Sequence, residues 1–450
     1  MNNLLKKKIF SKINFENILI LYIILQPIID IITSLCVRNI SENLTLGIFI
    51  RTIFMIYIMI YTIIKTDKKN KWKILLYYLL IGIYCITFIA VSYGKYEFSM
   101  MFTQLKGLIK TFYFPIILSS LLMLLKNKKY FQKQKSLNIT LALYVLTIVI
   151  CKIFSIGYAT YPHNNKAGTI GLFYAGNEIS AIIALLSPIC FGTFISQKFN
   201  ILSAVLCALT IFAMLEIGTK VACISIICLV ILSLIVSLIK LIKREQKGFY
   251  KQFITLLLIG FLTTSFISYT SGGINLKIQP IFKSQNSSTE ISEAQQGSTT
   301  NNSASDSTAL LSGRNKFFKK TLKKYNESSI TDKFIGMGYI SPKSNAIQES
   351  KLVEIDYFDI FFCHGILGTL IYITPLFLLI VLLIKKFFAC FINNIKNHTL
   401  IFKIYSALIG FGIALMAGHV FTAPAVSMFL ILILLEMFSE LYYEKDLKNE

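Results

Sequence analysis

Charged residues are scarce in this chain of 450 residues: they make up 15% of the sequence, while hydrophobic residues make up 55%. A soluble domain of this length needs polar faces between its apolar stripes, and the sequence has few of them. The apolar residues instead form runs of about 18–22 residues, which is the length of a helix that crosses a bilayer. The strands of a membrane β-barrel need only about 9–11 residues, so these runs are too long for them. The sequence therefore predicts an all-α, polytopic helical membrane protein.

Metal-binding and redox spacings are also missing. The nine cysteines are scattered, nearly all of them within apolar runs, and they form no CxxC pair. Neither a disulfide framework nor a zinc site is supported, and we expect no metal and no cofactor. A divalent ion held by Asp356, Asp359 and His364 is a weaker alternative, because no DxD pair occurs.

The apolar runs predict about twelve membrane spans. They lie near residues 17–37, 46–65, 73–93, 107–125, 138–157, 176–195, 201–217, 220–240, 253–270, 356–385, 399–418 and 421–441. The first run contains Pro27 and Asp30 and has no A-x-A-like cleavage site, so we expect a span and not a cleaved signal. The chain is predicted to divide into residues 1–270 with nine spans, a polar loop at 271–352, and residues 353–450 with three spans and a tail.

Acidic residues are half as numerous as basic ones, 22 against 45. Most basic residues lie at the N-terminus and in alternate connections, for example at 65–73, 126–135 and 240–251. This asymmetry predicts a cytoplasmic-membrane protein with both termini in the cytoplasm and the 271–352 loop outside. It also explains the net charge of +23, so a nucleic-acid partner is not needed.

The ionisable residues within or beside the spans lie mostly at the predicted outer face. The cations are Arg51, Lys106, Lys110, Lys152 and Lys220, and the carboxylates are Asp30, Glu178, Glu216, Glu354, Asp356 and Asp359. Charges near helix ends can extend to water, but this effect should occur at both faces. The one-sided distribution favours a water-filled cavity that opens to the outside. We expect it to hold the cations Arg51, Lys152 and Lys220 together with the carboxylates Asp30, Glu178, Glu354 and Asp356.

The predicted outer loop has two parts of different character. Residues 284–308 are rich in Ser, Thr, Asn and Gln and are predicted to be disordered. Residues 310–326 predict a basic amphipathic helix with Phe317, Phe318 and Tyr325 on one face and lysines on the others. Attraction to anionic lipid headgroups and clamping of a diphosphate by the planar Arg314 guanidinium both fit this helix.

Three carboxylates precede span ten, at Glu354, Asp356 and Asp359. Asp356 or Asp359 is expected to cap the helix, because acids at a helix N-terminus are stabilised by its free N–H groups. Glu354 is then the better candidate for a general base beside hydrocarbon.

Several short motifs resemble one family. They are GLFYAGNEISAIIALLSP (171–188), EIGTKVA (216–222), LSGR (311–314), FIGMGY (334–339) and CHGILGTLIYI (363–373). With about twelve spans and one large outer loop between the ninth and tenth, the chain resembles the O-antigen ligase and O-antigen polymerase superfamily of bacterial envelope enzymes. The resemblance implies a C-type glycosyltransferase fold. It also implies transfer of a glycan from a polyprenyl-diphosphate carrier to a hydroxyl acceptor, without a metal or a nucleotide sugar.

The resemblance also assigns residues. Lys220 stands where the family often has Arg just after Ser or Thr, and Arg314 matches the basic residue after Ser-Gly. The family usually has His-Asn eleven residues before the glycine that corresponds to Gly365, whereas this chain has Glu354-Ile355. This departure either moves the role of the base to Glu354 or marks a subgroup with a different acceptor.

The leading functional hypothesis is a glycan ligase or polymerase with Glu354, Arg314 and Lys220 as catalytic residues. We expect Arg51, Lys152, Asn177 and Asp356 to bind substrate. The expected partners are a polyprenyl-diphosphate-linked oligosaccharide and membrane lipids, and the identity of the acceptor stays open. A lipid-linked glycan flippase is an alternative, although the sequence shows no internal repeat of the kind that transporters carry. A second alternative is a non-catalytic protein that takes part in envelope assembly.

Overall fold

The computed structural model of this chain describes residues 15–40, 45–95, 98–125, 133–162, 166–243, 250–278, 314–341, 348–349 and 352–447. Within these residues, eleven helices are long and apolar enough to cross a membrane. A shorter apolar helix, Ile201–Ile217, lies where the seventh span is predicted. The predicted all-α, multi-pass membrane protein is therefore confirmed. The predicted disordered segment, 284–308, lies outside the described residues.

The helices overlap the predicted spans, and the fourth begins at Phe98, nine residues before its predicted start. The first nine are α1 Phe15–Asn39, α2 Leu46–Lys65, α3 Lys68–Tyr93, α4 Phe98–Leu125, α5 Gln134–Phe154, α6 Gly176–Ser196, α7 Ile201–Ile217, α8 Lys220–Ile242 and α9 Tyr250–Phe266. The remaining helices are α10 Ser271–Ile278, α11 Arg314–Glu327, α12 Ile330–Ile335, α13 Asp356–Ala389, α14 Phe391–Lys396, α15 His398–Met416 and α16 Pro424–Leu447. Two short antiparallel hairpins pair β1 Tyr158–Ala159 with β2 Thr169–Gly171 and β3 Ile340–Ser341 with β4 Gln348–Glu349.

Helices α6 and α16 form the centre of the bundle, and nearly all their membrane-depth side chains are buried. Helix α15 packs closely on α6 because glycines lie at the contact. A Cβ on Gly192 would lie 3.0 Å from the Phe402 side chain, and one on Gly410 would lie 2.9 Å from Leu185. Small residues let helix backbones approach in a membrane, where van der Waals packing drives association. The α6–α15 contact fixes two helices whose ends carry the site described below.

Helix α13 is broken at Gly365, which has φ 61° and ψ −167°. The break frees carbonyl groups of the preceding turn, and each needs a donor at membrane depth. The loop supplies these donors: the Met337 N–H donates to the Phe362 carbonyl (3.0 Å) and the Gly338 N–H donates to the Cys363 carbonyl (3.1 Å). The sequence Gly-Met-Gly therefore fixes the loop in the break of span ten.

Hydrogen bonds of a buried histidine with two tyrosines also hold the loop at the break in α13. The His364 ring is fully buried, with Nδ1 3.1 Å from the Tyr84 hydroxyl and Nε2 2.7 Å from the Tyr339 hydroxyl. Burial raises the pKa of Tyr339 well above its usual range. The Tyr339 ring also packs on Gly107 of α4, where a Cβ would overlap it. The two ring nitrogens of His364 thus serve the attachment of the loop to α3, α4 and α13.

The predicted basic amphipathic helix corresponds to α11, and residues 310–313 lie outside the described residues. Its Tyr325 is buried in a small cluster with Val353, Ile355 and Phe362. The Phe318 ring packs against Phe358 of α13 at a centroid distance of 4.5 Å, with the two rings tilted by 47°. The lysines point outward and are exposed: Lys316, Lys319, Lys320, Lys323 and Lys324. The apolar face therefore covers the start of α13. We call the end of the bundle that carries α11 and α12 the loop face.

Candidate functional site

Two cavities lie at the loop face. The larger, about 530 Å³, is bordered by Arg51, Lys110, Glu178 and His419, and we call it the Arg51 cavity. Its lining also contains Asp30, Lys106, Asp359, Tyr339 and residues 422–425. The smaller, about 340 Å³, contains Lys220, Arg314 and Asn177, and we call it the Lys220 cavity. The predicted single polar cavity is thus divided in two.

Arg51 is held firmly in the wall of the larger cavity. Its Nη2 donates to Asp30 Oδ1 (2.5 Å) and to Gln26 Oε1 (2.9 Å), and its Nε donates to the same amide oxygen (3.0 Å). The Tyr144 hydroxyl donates to the other Asp30 oxygen at 2.6 Å. A Cβ on Gly47 would lie 2.8 Å from Arg51 Nη1, so the glycine leaves room for the guanidinium. Arg51 is therefore a fixed, largely neutralised cation.

The Lys220 cavity lies where two helices begin. Asn177 is the second residue of α6, and Lys220 is the first residue of α8. Thr219 caps α8, its hydroxyl accepting from the Ala222 N–H at 3.2 Å, and the same hydroxyl bonds Ser180 of α6 at 2.6 Å. A lysine at a helix N-terminus opposes the helix dipole. The positive dipole ends of two helices, together with this cation, form an arrangement that favours an anion.

Arg314 enters the same cavity from α11. Its Nη2 donates to Glu354 Oε2 (3.0 Å) and to the Ala417 carbonyl (3.5 Å), and the guanidinium is mostly buried. Glu354 has the left-handed φ of 64°, and its carbonyl lies 2.8 Å from where a Cβ on Gly418 would be. The turn between α15 and α16 therefore packs against Glu354. The carboxylate proposed as a base from the sequence is an ion-pair partner that orients Arg314.

Part of the lining of the Lys220 cavity is apolar. Leu408, Ile409, Ile413 and Met416 of α15 form this part. Leu408 is exposed on the outside of the bundle. The cavity therefore combines cationic side chains with an apolar helix that reaches the surface of the bundle.

Asp356 lies outside the residues that line the two cavities. Its carboxylate accepts from the N–H groups of His419 (2.9 Å), Val420 (2.7 Å) and Phe421 (2.8 Å) and from the Thr422 hydroxyl (2.7 Å). These four donors fill the acceptor positions of a carboxylate. The side chain that the sequence assigned to substrate binding thus closes the α15–α16 turn.

Lys152 also lies apart from the residues that border the two cavities. Its Nζ pairs with Glu216 Oε2 at 2.7 Å, and Ser271 donates to the same oxygen at 2.9 Å. The group ties α5, α7 and α10 together. Nearby, Asn275 of α10 joins two other segments: its Nδ2 donates to the carbonyls of Ala167 (2.6 Å) and Gly218 (2.9 Å).

A comparison with known protein families identifies the family of this chain. A model of the O-antigen ligase like membrane protein family matches residues 12–444. The chain belongs to this family. The resemblance inferred from the short motifs is confirmed, and membership supports a role in processing membrane glycans with lipid-linked polysaccharide substrates. No curated protein and no solved structure matches the chain.

The motifs by which the chain resembles the O-antigen ligase like family occupy defined places at the site. Residues 171–188 start α6 between the two cavities, and residues 216–222 supply Lys220. Residues 334–339 enter the break in α13. The hydrogen bonds of His364 with Tyr84 and Tyr339 could not be predicted, because the three residues are far apart in the chain. The glycines of FIGMGY were the available signal for a close backbone approach.

Proposed function

We propose that this family member transfers a glycan from a polyprenyl-diphosphate carrier to a hydroxyl acceptor. The observation that carries the proposal is the lining of the Lys220 cavity. Lys220, Arg314 and Asn177 supply the polar and cationic part of this lining, and α15 supplies an apolar part. A prenyl diphosphate has the same division into a doubly charged head and an apolar chain.

In this proposal the chemistry is mainly electrostatic. As the bond between the sugar C1 and the diphosphate oxygen breaks, negative charge grows on the departing diphosphate. Arg314 offers a fork of N–H donors, and Lys220 and the two helix starts add positive potential. Donors that are already in place when charge develops stabilise the transition state without reorganisation. Glu354 acts through Arg314, so we assign it as a positioning residue.

The proposal also includes the orientation. The loop face would lie at the outer leaflet and both termini in the cytoplasm, as the lysine distribution predicts. The lipid-linked donor would then reach the Lys220 cavity sideways from the outer leaflet, past Leu408. Accessibility labelling of a single cysteine placed at exposed Lys323 in intact cells tests this orientation directly. Labelling only after cell disruption would contradict it.

Purified protein in liposomes with a fluorescent undecaprenyl-diphosphate oligosaccharide tests the activity, with a membrane extract of the source cells as the supply of acceptor. We expect transfer of the fluorescent glycan to a new product. Movement of the labelled lipid between leaflets without a product would indicate a flippase. If the glycan is neither transferred nor moved between leaflets, the result would indicate a non-catalytic assembly protein.

Variants identify the residues. Arg314→Ala and Lys220→Ala should each reduce transfer about 100-fold, because removal of one preorganised oxyanion donor commonly has this effect. Glu354→Gln should reduce it about 10-fold and leave residual activity that depends on Arg314. The control is Lys323→Ala, an exposed lysine of α11 that pairs only loosely with Glu327, at 3.9 Å. Wild-type transfer in both alanine variants would refute the site.

A further inference from the structure

The Arg51 cavity has no role in the proposed chemistry so far, although it is the larger of the two. We infer that it receives the acceptor, that Glu178 takes the proton of the attacking hydroxyl, and that the acceptor carries a negative charge. This inference rests on the proposed function and assigns its second substrate.

The first argument is the wall that separates the two cavities. Asn177 faces the Lys220 cavity, and the next residue, Glu178, faces the Arg51 cavity. Adjacent Cα atoms are about 3.8 Å apart, so the linings of the two cavities meet at this peptide unit. The turn between α15 and α16 shows the same pattern, because Ala417 lines the Lys220 cavity and His419 lines the Arg51 cavity. A sugar C1 at this wall would have the diphosphate on one side and the hydroxyl on the other.

The second argument is the availability of Glu178. Asp30 is bonded to Arg51 and Tyr144, and Asp359 accepts from the Val353 N–H at 2.8 Å. Glu178 is half-buried and makes no ion pair with any residue that the structure describes. An ionised carboxylate only accepts hydrogen bonds, so it suits a hydroxyl. Its place in the first turn of the central helix α6 also fixes it more firmly than a loop would.

The proposed step balances without a further reactant. The acceptor oxygen forms a bond to C1 of the carrier-linked sugar, and the bond between C1 and the diphosphate oxygen breaks. The electron pair of that bond leaves with the polyprenyl diphosphate, in the Lys220 cavity. The hydroxyl proton passes to the Glu178 carboxylate, in the Arg51 cavity.

The third argument concerns the acceptor itself. Lys110 lines the Arg51 cavity, is half-buried, and makes no ion pair with a described residue. Arg51, in the same lining, is already matched by Asp30. A cation in a polar cavity that makes no ion pair with a described residue favours an anionic ligand. A glycan or polyol whose hydroxyl stands near a phosphate or a carboxylate has the required chemistry.

The first test uses cells that lack this protein and carry a plasmid-borne copy. Glu178→Gln should reduce the surface glycan about 100-fold or more, as expected for loss of a general base, and the lipid-linked glycan should accumulate. The purified variant should bind undecaprenyl diphosphate within about 2-fold of wild type, because its donor site is intact. Glu178→Asp should restore part of the transfer, which shows that the carboxylate matters and not the packing. The control is Glu327→Gln on the exposed face of α11.

Three outcomes would overturn the assignment of Glu178. They are a wild-type amount of surface glycan in Glu178→Gln, loss of undecaprenyl-diphosphate binding in this variant, and loss of transfer in His419→Gln but not in Glu178→Gln. Failure of the proposed function looks different, since Arg314→Ala and Lys220→Ala would then leave the surface glycan unchanged.

The second test addresses the charge of the acceptor. Protein already saturated with undecaprenyl diphosphate is titrated with N-acetylglucosamine 1-phosphate or with N-acetylglucosamine. We expect the phosphate sugar to bind about 10-fold more tightly, the effect of one charge-assisted contact of about 1.4 kcal/mol. Lys110→Gln should abolish this difference, and Lys95→Gln, at the surface of the loop face, should retain it. Equal binding of the two sugars to wild type would overturn the anionic acceptor.

Discussion

Replacing Asp356 by Asn separates a structural role from substrate binding. The carboxylate is almost fully buried, and its Oδ2 accepts from the N–H groups of Val420 and Phe421. Its Oδ1 accepts from the His419 N–H and the Thr422 hydroxyl. In Asp356→Asn, the amide nitrogen would best replace Oδ1, because the threonine hydroxyl can turn and accept from it.

The cost of this change follows from the bonds that are lost. The His419 N–H would face a donor, which costs about 1–3 kcal/mol for an unsatisfied group. The two bonds at Oδ2 would lose their charge, and charged hydrogen bonds contribute about 1.5–3 kcal/mol against about 0.5–1.5 for neutral ones. We therefore expect Asp356→Asn to lower the free energy of unfolding by about 3–5 kcal/mol.

Thermal unfolding of the purified protein in detergent checks this value. Asp356→Asn should lower the apparent Tm by about 3–5 °C. The control is Asp332→Asn, which carries the same change in an exposed ion pair with Lys95 and should cost less than about 1 kcal/mol. An unchanged Tm together with weaker binding of the lipid-linked donor would refute the structural role. It would restore Asp356 as a substrate ligand.

Two further changes test the packing of the loop and of the opposite face. Gly336 has a φ of 111°, and in Gly336→Ala the new Cβ would collide with the Cys363 carbonyl. We therefore expect the loop to leave the break in α13. Limited proteolysis should then cleave the chain near residue 335 faster than in wild type. Slow, wild-type cleavage would contradict the docking. Lys403 Nζ lies 3.2 Å from Glu436 Oε2 and 2.7 Å from Glu440 Oε2. Lys403→Met would leave both carboxylates buried without their cation, so the free energy of unfolding should fall by about 3–5 kcal/mol. The transfer rate per folded molecule should not change, because these residues lie far from the loop face, and a specific loss of rate would contradict this.

Much of the fold was predictable from the sequence, because lipid imposes a simple rule on length and polarity. The predicted seventh and eighth spans match α7 and α8 nearly residue for residue, since Asn200 and Thr219 cap their starts. The end of span one was less predictable. Helix α1 continues to Asn39, where Arg38 lies over the Tyr158 ring at 4.0 Å.

The site was predictable in its residue types but not in its pairing. Burying a charge requires a partner, and the partner comes from another helix that the sequence does not identify. Lys152 pairs with Glu216, and Glu354 pairs with Arg314, so each of these two predicted site residues has a charged partner from another part of the chain. Lys220 and Arg314, which the family resemblance assigns to catalysis, line one cavity, and their roles stay a prediction.

The central claim is that the Lys220 cavity binds a lipid diphosphate. Cryo-electron microscopy of the protein with undecaprenyl diphosphate tests it most directly. We predict density for the two phosphates between Lys220 and Arg314, with the prenyl chain along Leu408 and Ile413. Phosphate density in the Arg51 cavity, with the Lys220 cavity empty of lipid, would contradict the account.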